Sequence, residues 1–121
     1  MAYNILEEYD LGENFADQIT SVIGDTFPDD ARLTPLLEPA ERTIMSLTTK
    51  ETSIVEAAAK EKDFAALFIE ALQSSFVPAG LTEKETDRLV MAIKTGVHTT
   101  LCSLKHIEKE QNEKNMMKST E

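Results

Sequence analysis

His98, Cys102 and His106 follow one another at intervals of four residues, and an imidazole and a thiol at that spacing are the most reactive pair the chain contains. On a helix, positions i and i+4 share a face, so His98 and Cys102 can grip one zinc ion. His106 cannot join them, because eight residues rise roughly 12 Å along a helix. The chain has no further Cys or His, so a complete shell needs carboxylates or a second copy. Nucleophilic chemistry by Cys102 with a neighbouring imidazole meets a different obstacle. The N–H groups inside a helix are already bonded and cannot hold an oxyanion, and no orienting third group is evident. The expectation is a Cys102 packed beside the core and two partly exposed His, with no metal and with His98 and Cys102 only weak candidates for one.

Carboxylates are the other chemical resource. The first thirty-one residues hold eight acids and no Lys, Arg or His; Arg32 is the first base. That segment carries −8 of the formal −10, and the remaining ninety residues carry only −2. Six of these acids, Asp10, Glu13, Asp17, Asp25, Asp29 and Asp30, form the candidate partner-binding set. Acid–base catalysis would need one of a pair desolvated in a cleft, whereas these positions read as solvent-facing helix or turn. Asp25 to Asp30 fails as a calcium loop, since Phe27 occupies the third position and the required Gly is missing. No Gly-rich phosphate loop, Gly-x-Ser-x-Gly or His-Glu-x-x-His occurs. The expectation is therefore no enzyme and no cofactor.

Composition bounds the rest. The 121 residues suffice for one domain with its own core. Apolar residues make up 41% and charged residues 28%, as in ordinary globular proteins, while four Gly, four Pro and no Trp favour helix. One cysteine suggests a reducing compartment. The N-terminus lacks a basic-then-apolar leader, and the longest apolar run, Phe64–Ile69, is far short of a membrane span. A cytoplasmic location follows. No cluster of more than two adjacent bases occurs, which disfavours direct nucleic-acid or anionic-membrane binding.

The elements that must position these groups read as helical nearly throughout. Ile5, Tyr9, Gly12, Ala16, Ile19 and Ile23 step by three and four, with Asn4 and Glu7 as an opening cap, Gly12 as a candidate break and a stop near Gly24, before Phe27 and Pro28. Asp10, Glu13 and Asp17 then share the far side. Pro28, Pro35 and Pro39 predict an irregular connector, with a helix starting at about Pro39. Thr48 and Glu51 offer a capping box for a helix to about 75, whose stretch 64–72 is apolar almost all round and so expected at the centre or against a partner. Thr82 and Glu85 form the clearest capping box. The helix it opens carries a seam of Val90, Ile93, Val97, Leu101, Leu104 and Ile107, suited to a bundle or a dimer.

The pattern predicts an all-α fold: a compact bundle of four to five helices with a long C-terminal helix over about 82–112. Residues 1–112 form a single helical domain and 113–121 a mobile polar tail. Residues 88–107 contain Arg88, Lys94 and Lys105 and no acid, so the acidic first helix could also zip internally against the last. The functional expectation is a non-enzymatic protein–protein interaction module: a small acidic adaptor, assembly chaperone or regulator. Its partner is another protein, with a basic surface as one option, and a homodimer is expected. The alternative is a nucleic-acid-mimicking inhibitor of a basic DNA- or RNA-handling protein. Small acidic helical proteins of this length are common among phage and mobile-element accessory proteins, a likeness of composition alone. A second alternative is a metal- or small-ligand-binding bundle.

Overall fold

Two successive side-chain caps shape the N-terminal segment. In the computed structural model, which describes residues 3–119, Asn4 Oδ1 accepts the Leu6 amide at 3.0 Å and closes a 3-10 turn over Ile5–Glu7. Asp10 Oδ1 then accepts the Glu13 amide at 3.0 Å and opens α1, Leu11–Thr26. The break thus falls at Asp10 rather than Gly12, and Tyr9 leaves the expected stripe, 42% exposed. α1 stops where expected, two residues past Gly24 and directly before Phe27, whose amide bonds the Ile23 carbonyl; Pro28 follows.

The second helix starts earlier than its prolines suggest. α2 spans Thr34–Leu47, with Pro35 in its first turn and Pro39 inside it. An amide at position 35 would have no helical partner anyway, and Pro39 removes only one bond near the start. Burial of Ala40 and Ile44 offsets that loss. Thr48 does not start a helix but caps the end of α2, its hydroxyl donating to the Ile44 carbonyl at 2.7 Å. Ser53 caps the short α3, Ile54–Ala59, and α4 follows as Glu61–Phe76. A 3-10 turn over Val77–Ala79 ends at Gly80 in the left-handed region, φ 67°. The expected box at Thr82 is present: Thr82 Oγ1 accepts the Glu85 amide at 3.2 Å, and Glu85 Oε1 accepts the Thr82 amide at 3.0 Å. It opens α5, Glu83–Ser119.

These five helices form an all-α bundle. α1 packs along α5 and α2, α4 packs on the same two helices, and α3 lies against α5. α1 and α4 therefore stand at diagonal corners. Phe15 reaches across the core from α1, its ring 5.1 Å from that of Phe64 and 5.3 Å from that of Phe68. α4 is an outer helix rather than the expected centre, with Ala66 and Leu67 at the surface. Its apolarity exceeds what the bundle buries. Among the described residues, no helix is long and apolar enough to cross a membrane.

Within the expected seam, Ile93, Val97, Leu101 and Leu104 are buried inside one chain, Val90 lies at the rim, and Ile107 is 40% exposed. The seam runs out there because the partner changes from α1 to the N-terminal turn. The Ile5 amide donates to Glu108 Oε2 at 3.1 Å and the Tyr3 amide to Asn112 Oδ1 at 2.7 Å. α5 continues beyond the expected end near 112: the segment 113–121 is helical as far as Ser119, and residues 120 and 121 lie outside the described ones. The side chain of Met117 also lies outside them, while Met116 is 69% exposed.

α1 and α5 meet most closely at Gly96. A Cβ built there would stand 2.6 Å from Ile19 Cγ1 and 2.8 Å from Ile19 Cα. Backbone cannot swing aside as a side-chain tip can, so the two helices would have to separate. Gly96→Ala is expected to destabilise, because overpacking costs ~1–3 kcal/mol and outweighs the gain in helix propensity, about 1 kcal/mol at most. Gly24→Ala meets nothing within 4 Å and should instead stabilise by about 0.5–1 kcal/mol. Urea denaturation of the two variants reads these opposite signs; a stable Gly96→Ala protein would refute the close approach.

Candidate functional site

The outward arc of α1 is acidic. Its buried side is Phe15, Ala16, Ile19 and Ile23, and the 3.6-residue period puts Glu13, Asp17 and Asp25 on the opposite side, all exposed. Among the described residues, none of these three carboxylates takes part in an ion pair or a side-chain hydrogen bond. Asp29 is likewise exposed and unpaired, in the turn after α1, where its φ of 57° makes it the one described non-glycine residue in the left-handed region.

The other two members of the acidic set are occupied. Asp10 is the cap of α1, and its Oδ1 is committed to the Glu13 amide. Asp30 binds Arg32 through three contacts: the Arg32 amide at 2.9 Å, Nε at 3.1 Å and Nη2 at 2.8 Å. The Arg32 guanidinium reaches on to both oxygens of Glu85. The first base of the chain therefore clamps the α1–α2 connector to the capping box of α5. The guanidinium beside them lowers the pKa of both carboxyls, and that of Glu85 falls from 4.5 to about 2, helped by the Thr82 amide.

The supposed zip between acidic α1 and basic α5 has a different basis. The two helices are neighbours, but no ion pair links them among the described residues. Buried apolar side chains and the Gly96 contact join them, while Arg88, Lys94 and Lys105 face solvent.

His98 and Cys102 share a face as the spacing requires, Cys102 Sγ lying 3.5 Å from His98 Nε2, and both are exposed rather than packed on the core. Sequence reasoning missed the third group. Glu61, at the start of α4, places its carboxylate 3.1 and 3.2 Å from His98 Nδ1. An acid, an imidazole and a thiol thus stand together, the acid and the imidazole drawn from positions 37 residues apart whose proximity only the α4–α5 packing creates. The Cys102 backbone lies in mid-helix, where its neighbours' amides are committed to the ladder, so no oxyanion site adjoins the sulfur. Among the described residues, no group of three or more His, Cys, Asp or Glu side chains is placed to hold a metal ion. His106 pairs separately with Glu110 at 3.1 Å.

Two concavities flank these groups. One of about 300 Å³ lies where the start of α1 passes the end of α2, lined by Tyr9, Asp10, Met45 and Thr48 among others. The other, about 390 Å³, is an open groove between α4 and α5, floored by Ala65, Ala66 and Ile69 and edged by Glu61, Lys62 and Lys94.

The depressed Glu85 pKa carries a sign. A carboxyl that titrates lower when folded contributes stability above its unfolded pKa and loses it as pH falls through the folded one. Glu85→Gln keeps the carbonyl that caps Thr82 but loses the charge. Its melting temperature should lie below that of the wild type at pH 7, and the gap should narrow between about 4.5 and about 2. A gap constant over that range in thermal melts would show that Arg32 gains nothing from the charge of Glu85. No protein-family model matches the chain, and no curated protein or solved structure is significantly similar to it.

Proposed function

We propose that the chain is a non-enzymatic protein–protein interaction module, a small acidic adaptor, assembly chaperone or regulator whose outer α1 face engages a basic surface on another protein. The observation that carries this reading is the state of Glu13, Asp17 and Asp25: three carboxylates exposed on one rigid helix and left unengaged by the fold. Carboxylates held on a rigid scaffold steer association and fix register at little entropic cost. Asp29 extends the same anionic surface past the helix end.

The array is sparser than a nucleic-acid backbone, which weighs against mimicry. Glu13 and Asp17 are separated by roughly 6 Å along the helix axis and Asp17 and Asp25 by roughly 12 Å, against about 3.4 Å between successive charges of one DNA strand. Mimicry of the kind used by phage or mobile-element inhibitors remains the second reading, favoured only by the alignment of the acids on one side. A homodimer would have to use faces other than the α5 seam, since Ile93, Val97, Leu101 and Leu104 are consumed within the chain.

Asp17→Lys with Asp25→Lys reverses the face at two exposed positions and should leave the fold intact. Partner capture from host extract is expected to fall more than tenfold in this variant. It should also fall between about 0.1 M and about 1 M salt, as the screening length shrinks from about 10 to about 3 Å. Capture unchanged by the double reversal would sink the reading; capture competed away by added DNA would transfer it to mimicry.

A further inference from the structure

The groove between α4 and α5 lies away from the acidic α1 face and has the opposite character. Its floor is apolar, formed by Ala65, Ala66 and Ile69, and its volume is about 390 Å³. Lys62 on α4 and Lys94 on α5 stand on its edges; both are exposed and neither has an ion-pair partner among the described residues. The one acid in the lining, Glu61, directs its carboxylate at His98 Nδ1. Met91, one turn before Lys94 on the same side of α5, is 62% exposed. An apolar floor between two uncommitted lysines offers a candidate docking surface.

We infer that this groove receives an acidic amphipathic helix of a partner protein, its apolar side on Ala65, Ala66 and Ile69 and its flanking carboxylates on Lys62 and Lys94. Small side chains at 65 and 66 let a second helix approach α4 at close range, and apolar anchors at i, i+3, i+4 and i+7 suit such a floor. Lysines on both edges discriminate for carboxylates flanking the anchors and against a basic helix of the same hydrophobicity. A second copy of the chain does not fit. Apposing two such grooves would bring Lys62 and Lys94 of both copies together, and the outer face of α1 has charge but no apolar stripe. A nucleic-acid backbone fits less well than a peptide, because its outer surface of phosphates and sugars offers no apolar side chains to cover Ala65, Ala66 and Ile69.

The test uses the full chain and a fluorescein-labelled peptide of about eighteen residues, with leucines at helical i, i+3, i+4 and i+7 spacing and glutamates on the flanks. Fluorescence anisotropy should show saturable binding. Lys62→Glu with Lys94→Glu should weaken it at least tenfold, and so should Ala66→Glu; all three positions are exposed, and circular dichroism verifies that the variants fold. The same peptide with lysines in place of glutamates should fail to bind. Absence of saturable binding, equal binding of the lysine peptide, or affinity unchanged in both variants would overturn the inference. So would a DNA duplex that displaces the acidic peptide and is itself lost in Lys62→Glu with Lys94→Glu. None of these results depends on Asp17 or Asp25, so failure here leaves the α1 reading standing.

Discussion

The approach of Gly96 to the backbone of Ile19 governs how the bundle is assembled. With hydrogen in place of a side chain at 96, the α1 backbone comes to within 2.8 Å of where a Cβ would stand. α1 can then lay Phe15, Ile19 and Ile23 against the buried side of α5, which runs through Leu89, Ile93, Val97 and Leu101. Thr100, one turn beyond Gly96, satisfies its buried hydroxyl on the Gly96 carbonyl at 2.8 Å. Once that contact fixes the rotation of α1, the opposite arc has to face water. Glu13, Asp17 and Asp25 lie on it, and burying any of them unpaired would cost several kcal/mol per charge. Packing of an apolar stripe thus determines where the anionic surface is.

Three of the ion pairs among the described residues, Arg32–Asp30, Arg32–Glu85 and Lys60–Glu51, sit at the joints between helices. Arg32 ties Asp30 in the α1–α2 connector to Glu85 in the first turn of α5, and Lys60 with Thr49 holds Glu51 in the α2–α3 loop at 3.2 and 2.7 Å. Exposed ion pairs contribute little to stability individually. Here the acids also serve the backbone: Asp30 accepts the Arg32 amide and Glu85 the Thr82 amide. The same carboxylates therefore close turns and fix where helices begin. Among the described residues, Glu13, Asp17 and Asp25 on α1 and Lys62 and Lys94 at the groove take no part in these joints.

Legibility in the sequence followed the locality of the interaction. The all-α class, a long last helix and the Thr82–Glu85 box rest on neighbours three or four residues apart, and all are present. Where two local signals competed, long-range packing chose between them. Thr48 with Glu51 resembles a cap, but the end of α2 lies against the start of α1, with Thr48 and Met45 close to Gly12, and Thr48 closes α2 instead. Pro39 reads as a helix start, yet burial of Ala40 and Ile44 carries α2 through it. α4 reads as central because its sequence is apolar, whereas the bundle needs only its Phe64, Phe68, Leu72 and Phe76 edge. The Glu61 carboxylate on His98 left no trace in the sequence, since nothing at position 61 announces what stands at 98. Asp10 and Asp30 read as surface acids for the same reason: sequence counts a carboxylate without telling whether a backbone amide or a guanidinium already holds it.

The arrangement also limits how the chain can associate with itself. The anionic arc belongs to α1 and the cationic groove to α4 and α5, and α1 and α4 stand at diagonal corners because each packs on α2 and α5. Matching the arc of one copy to the groove of another would make a head-to-tail contact, which extends into open chains unless its rotation happens to close a ring. A net charge of −10 opposes such growth, since repulsion between whole molecules is long-ranged at low salt. The groove also offers the arc apolar floor where the arc has only Ser21 and Gln18 between its acids. Complementarity of sign without complementarity of hydrophobicity gives weak, salt-sensitive contact. Under the two proposals made above, a basic surface for α1 and an acidic helix for the groove, one bundle would meet two different partners on opposite sides of its core.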